Sequence, residues 1–136
     1  MTPGEQLTEA PIASNDDVVR VRQAVRALAQ ECRLSLVDQT KLITAASELA
    51  RNTLVHGGGG SMATALVDNG SRRGVRVVFR DSGPGIPDME LALTDGWTSG
   101  SGLGLGLSGS RRLVDEFAID SEPGRGTTVT IVKWAR

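Results

Sequence analysis

Four stretches of this chain combine residue types and spacings that could do chemistry. Glu48 and Asn52 are four residues apart, which puts two side chains on nearly the same face of a helix. A carboxylate and an amide beside the apolar Ala45 and Leu49 suit a general base and an oxygen ligand for Mg²⁺. That ion commonly takes one or two protein ligands and the rest from phosphates and water. Read alone, the pair also fits a solvated helix face, and Arg51 is placed to form an ion pair with Glu48. Asp81-Ser-Gly-Pro-Gly-Ile86 follows the strand-like Val75, Val77, Val78 and Phe79. A carboxylate at a strand end can accept from an exocyclic amine such as adenine's, while Gly83 and Gly85 let the backbone bend and a planar ligand approach. The same residues also make an ordinary turn.

Gly100-Ser-Gly-Leu-Gly-Leu-Gly-Leu107 lacks the GK[ST] ending of a Walker loop. It also follows a helix and a polar loop where a dinucleotide fold would have a strand. What remains is a glycine-rich loop leading into a helix, a setting that attracts phosphate, or a flexible surface loop. Between Asp88 and Arg111 no Lys or Arg occurs, so a cation facing a phosphate here would come from Arg51, Arg111, Arg112 or a partner. Gly124-Arg-Gly-Thr-Thr128 reads as a β-turn opening a strand.

These groups need a scaffold, and the hydrophobic periodicity supplies one. Residues 1–13 read as a tail with a short edge strand at Ala10 to Ala13, and residues 14–136 as a single domain. Ser14 or Asn15 caps a first helix with Asp16 and Asp17 in its first turn. Val18, Val21, Val25, Leu28 and Cys32 form its apolar stripe. Ser35, with Asp38 three residues on, opens a second helix that runs through Leu42, Ala45, Leu49 and Thr53 to His56. The glycines from Gly57 to Gly60 end it.

Ala63 to Val67 and Val75 to Phe79 form a hairpin about Asn69-Gly70. A short helix near Asp88 to Leu93 follows, then a helix from Ser108 through Arg111, Leu113, Val114 and Phe117. A strand, a turn at Pro123 to Gly126 and a last strand, Thr127 to Trp134, complete the chain. Helices alternating with paired strands predict an α+β fold, an α/β sandwich with one mixed, mostly antiparallel sheet and helices on one face.

Composition narrows the function classes. With a formal net charge of −1 and 3% aromatic residues, the chain has neither the basic field nor the stacking platforms of a nucleic-acid binder. No apolar run approaches the roughly 20 residues of a membrane helix, and the N-terminus lacks the pattern of a signal peptide. A cytoplasmic protein is expected, with no nucleic-acid or membrane partner. Cys32 is the single cysteine, so no internal disulfide can form; a buried small hydrophobe is its simplest role.

In this order the four stretches resemble the N, G1, G2 and G3 boxes of the GHKL (Bergerat-fold) ATP-binding superfamily, over about Ser14 to Arg136. At 136 residues there is no room for the added domains of gyrase, chaperone or mismatch-repair relatives. Sensor histidine kinases need an upstream phosphoacceptor, whereas the sole histidine, His56, follows Glu48. The chain is most similar to the small serine/threonine kinases of bacterial partner-switching systems, of the stressosome type. Ser47 to Asn52, Asp81 to Asp88, Arg112 to Phe117 and Ile131 to Arg136 carry that likeness.

The resemblance implies ATP and Mg²⁺ as cofactors, with Asn52 the metal ligand and Glu48 the catalytic base. It assigns nucleotide binding to Asn52, Asp81, Gly83, Gly85 and Ile86, to Gly102, Leu103, Gly104, Leu105 and Gly106 in a lid, and to Thr127 or Thr128. It further implies phosphorylation of a STAS-domain antagonist or scaffold and, on release, activation of a PP2C-type phosphatase. Two alternatives remain. One is an anti-sigma factor that sequesters a sigma factor. The other is a nucleotide-gated interaction module without catalysis.

Overall fold

The computed structural model describes residues 8–83, 106–122 and 124–136. The lid positions Gly102, Leu103, Gly104 and Leu105, the loop residues Gly85 and Ile86, and the expected helix near Asp88 to Leu93 lie outside them.

The first element is β1 (Thr8–Ile12), somewhat longer than the expected edge strand. The α1 helix (Asn15–Glu31) starts at Ser14, but the Ser14 hydroxyl makes no capping bond. Instead the Asp17 carboxylate accepts from the Ala13 N–H at 2.8 Å and from Arg20 at 2.7 Å. That backbone N–H, with Arg20 and Ser14, holds the Asp17 carboxyl below its ordinary value against the cost of burial. The expected stripe faces inward, with Val18, Val21, Val25 and Cys32 buried. Cys32 sits one residue past the helix end.

The α2 helix (Leu36–Val55) begins as expected: Ser35 Oγ accepts from the Asp38 N–H at 3.1 Å. It buries Leu42, Ala45, Leu49 and Thr53 and ends at His56. The hairpin of β2 (Gly60–Asp68) and β3 (Arg73–Asp81) is longer than its apolar cores suggested. At its turn, Asn69 Oδ1 accepts from the N–H groups of Ser71 and Arg72.

One expectation fails. The helix after the glycine ladder, α3 (Gly106–Arg112), stops five residues before Phe117, which belongs to β4 (Glu116–Glu122). The Leu113 N–H closes the helix on the Ser110 carbonyl at 3.1 Å, and the Asp115 N–H already bonds the Val132 carbonyl of β5 (Gly126–Trp134). Leu113, Val114 and Phe117 fit a helical stripe, but Phe117, Ile119 and Ser121 fit strand alternation equally well. Pairing with β5 decides for the strand.

The sheet order is β1-β2-β3-β5-β4, and every described pairing is antiparallel, in line with the mostly antiparallel sheet expected. After β3 the chain crosses to the far edge as β4 and returns as β5 between the two, so the parallel strands β3 and β4 never touch. Met62, Val75, Val77, Phe79, Val129 and Ile131 point to one side and form the core with α1 and α2. Burying a side chain such as Phe79 fully is worth about 1.5–3 kcal/mol.

On the same side Lys133 is buried between Asp115 (3.3 Å) and Asp38 (3.5 Å), linking the α2 N-terminus to the sheet. Among the described residues no helix is long and apolar enough to cross a membrane.

Candidate functional site

The site is built where α2 ends and β3 ends. The last turn of α2 closes with the N–H groups of His56 and Gly57 both bonding the Asn52 carbonyl, at 2.9 and 3.2 Å. Gly57 then lies directly on Asp81. A Cβ at Gly57 would stand 2.5 Å from Asp81 Cβ and 2.6 Å from its Oδ2, and Gly83 rests on the Gly57 backbone. Only a glycine lets the helix end and the carboxylate come this close. The carboxylate is oriented by its own loop, Asp81 Oδ1 accepting from the Gly83 N–H at 2.9 Å.

Strand register separates the two candidate threonines. Thr127 pairs with Asp81 across β3 and β5, on the core side of the sheet, and its Oγ1 is 2.9 Å from Ser121 Oγ. Thr128 pairs with Arg80 and projects from the opposite side. Thr127 is therefore the threonine that shares a wall with Asp81. Gly126 makes the wall possible: its φ of +100° belongs to the left-handed region, and a side chain there would strike the Asp81 carbonyl.

Glu48 and Asn52 lie on the margin of α2, each half-buried. Among the described residues, neither side chain has a hydrogen-bond or ion-pair partner, and the pairing of Arg51 with Glu48 does not form. A carboxylate and an amide held at a partly dry surface without partners are available to a ligand. No three His, Cys, Asp or Glu side chains cluster among the described residues. A cation here would thus take an oxygen from Asn52 and complete its shell with phosphate and water, which suits Mg²⁺. Gly106 is the first residue of α3, and α3 lies along α2, so the end of the glycine ladder returns to the helix that carries Glu48 and Asn52.

By sequence Gly57 and Gly60 are a helix stop, and Gly126 is a turn residue. No sequence pattern marks Ser121. The available signal was redundancy: one glycine ends a helix, and four in succession, Gly57 to Gly60, ask for a second reason.

Residues 37–135 match the model of the histidine kinase-, DNA gyrase B- and HSP90-like ATPases. The chain belongs to this family. Its GHKL architecture accounts for the helix pair over the sheet and for Asp81 at the strand end. Among individual relatives, the serine/threonine-protein kinase RsbT of Bacillus subtilis is 41% identical over 120 residues, covering 88% of this chain and 90% of that one. The anti-sigma F factor of Bacillus licheniformis is 29% identical over 131 residues, 90% of this chain and 86% of the relative. A crystal structure of the RsbU and RsbW domains of a Mycobacterium tuberculosis protein superposes with a TM-score of 0.67 at 24% identity. It covers 96% of this chain and 33% of the other, and the likeness is one of fold.

Proposed function

We propose that this protein is an ATP- and Mg²⁺-dependent serine/threonine protein kinase of a bacterial partner switch. The carrying observation is the unpartnered Glu48–Asn52 pair on a helix whose end is seated against Asp81. Phosphoryl transfer asks a protein chiefly for positioning and charge stabilisation, and the residues divide that work. Asp81, fixed by Gly83 and backed by Thr127, accepts from the adenine amine. Asn52 offers its oxygen to Mg²⁺, which when bound neutralises phosphate charge. Glu48, one helical turn away, takes the proton of the acceptor hydroxyl.

The 41% identity to a named serine/threonine kinase supports this reading. The substrate we infer is a STAS-domain antagonist or scaffold, with a PP2C-type phosphatase as the partner bound after release; both come from the likeness to partner-switching kinases.

Incubation with a STAS protein and labelled ATP is expected to give phosphoserine or phosphothreonine. Asn52→Ala and Asp81→Asn should abolish transfer. Glu48→Ala should keep nucleotide affinity and lose about 10²-fold or more in rate, as removal of a general base does. Full activity in both Asn52→Ala and Asp81→Asn would refute the site. The similarity to anti-sigma F factors favours a second reading, direct sequestration of a sigma factor. Capture of a sigma subunit in place of a STAS protein or phosphatase would select it, and stoichiometric ATP binding without transfer would select a non-catalytic module.

A further inference from the structure

The sheet has a second functional-looking surface at the same end, on the side away from the helices. A cleft of about 500 Å³ opens there, floored by the glycine turn after α2 and lined by Ser61, Arg80, Asp81, Ser82 and Thr128. Register places three of these in one row, with Ser61 opposite Arg80 and Arg80 opposite Thr128. The two hydroxyl residues therefore flank the arginine at the roughly 5 Å of direct cross-strand neighbours. The Asp81 side chain belongs to the core side, because successive strand residues alternate.

None of Ser61, Arg80, Ser82 and Thr128 has a side-chain hydrogen bond or ion pair among the described residues. Asp120 continues the row beyond Thr128, two strands and about 10 Å from Arg80. It is not among the residues that line the cleft and leaves the guanidinium unpaired. The Gly58 N–H takes no part in the bonds of the turn, which use those of Gly57 and Gly59.

We propose that this cleft is a receptor for a phosphate group, anchored by Arg80. A guanidinium presents a planar fork of donors suited to phosphate oxygens. The hydroxyls of Ser61, Ser82 and Thr128 add donors from other directions, matching a tetrahedral anion better than a planar carboxylate. Two carriers share this chemistry, free inorganic phosphate and a phosphorylated side chain of a protein. The second rests on the kinase reading, since such a group would be its product; the first does not.

The test is an amide NMR titration of the whole chain at constant ionic strength, with inorganic phosphate in one arm and a phosphoserine peptide in the other. Saturable shifts are expected together at Gly58, Ser61, Arg80 and Ser82. Arg80→Gln should weaken binding about tenfold or more, as loss of a charge-assisted hydrogen bond does, while leaving ATP affinity unchanged. Ser61→Ala should weaken it severalfold and decides the matter if Arg80→Gln does not fold.

Tighter binding of the peptide assigns the cleft to a phosphorylated side chain; equal binding assigns it to free phosphate. Absence of saturable shifts at these amides, or variant titrations superimposable on wild type, would overturn the proposal. Loss of kinase activity in Asn52→Ala has no bearing on that outcome, so the two readings fail separately.

Discussion

Replacing Gly57 by alanine tests the geometry on which the nucleotide reading stands. The backbone there is not in the left-handed region, so alanine is conformationally allowed and stiffens the unfolded chain, a gain of about 0.4–1 kcal/mol. Against this, the new methyl would lie 2.5 Å from Asp81 Cβ and 2.6 Å from Oδ2, where carbon contacts settle near 3.5–4.0 Å. Asp81 must retreat by about 1 Å. Overpacking of this kind costs about 1–3 kcal/mol, so the net loss of stability should be about 1–2 kcal/mol, a fall in Tm of several degrees.

The larger effect falls on binding. On the proposed reading, displacing the carboxylate removes a charge-assisted hydrogen bond to adenine, worth about 1.5–3 kcal/mol, or about 10- to 150-fold in ATP affinity. Calorimetric titration with ATP and with ITP, which lacks the exocyclic amine, separates the two consequences. Gly57→Ala should weaken ATP and leave ITP nearly unchanged, collapsing the preference. Gly58→Ala is the control: its φ is +73° with open space around it, so it should lose stability and keep ATP affinity. If Gly57→Ala binds ATP within twofold of wild type, Asp81 does not read the base from this position.

The charges buried near the other end of the sheet make a pH prediction. Burial works against ionisation of Asp115, but the Trp134 N–H, Lys133 and Arg136 outweigh it and hold the carboxyl below its ordinary 3.8. A depressed folded value stabilises the native state above the unfolded value, and the benefit is lost as pH falls through the folded one. Thermal melts should therefore show wild-type Tm dropping steeply below about pH 4, with a lower Tm at neutral pH and a shallower acid slope in Asp115→Asn. Lys133→Ala leaves Asp38 and Asp115 without their buried cation and should cost about 3 kcal/mol or more in denaturant titration. Burial pushes the Cys32 thiol up and shields it, so a thiol reagent should modify it only at the rate of unfolding.

Much of this protein follows from its sequence without reference to contacts. The apolar stripes of α1 and α2, the Ser35 cap and the Asn69-Gly70 turn are each fixed by residues within a few positions of one another, where periodicity and turn chemistry act. The Glu48–Asn52 face is equally local, and the order of the four boxes pointed to the family.

What the sequence could not decide depends on pairing between distant segments. Whether Leu113 to Phe117 continue a helix or enter a strand was settled by β5, where Phe117 pairs with Ile131 and Glu116 with Val132. Which of Thr127 and Thr128 shares a wall with Asp81 depends on register, because a shift of one residue turns every side chain to the other face. The same register sets Arg80 between two hydroxyls on the far side. Gly57 looked like a helix stop until the fold laid it on Asp81. Local sequence determined which elements form and what chemistry they carry; tertiary structure alone decided which groups meet, since that is set by approach distances and strand alignment that no short window contains.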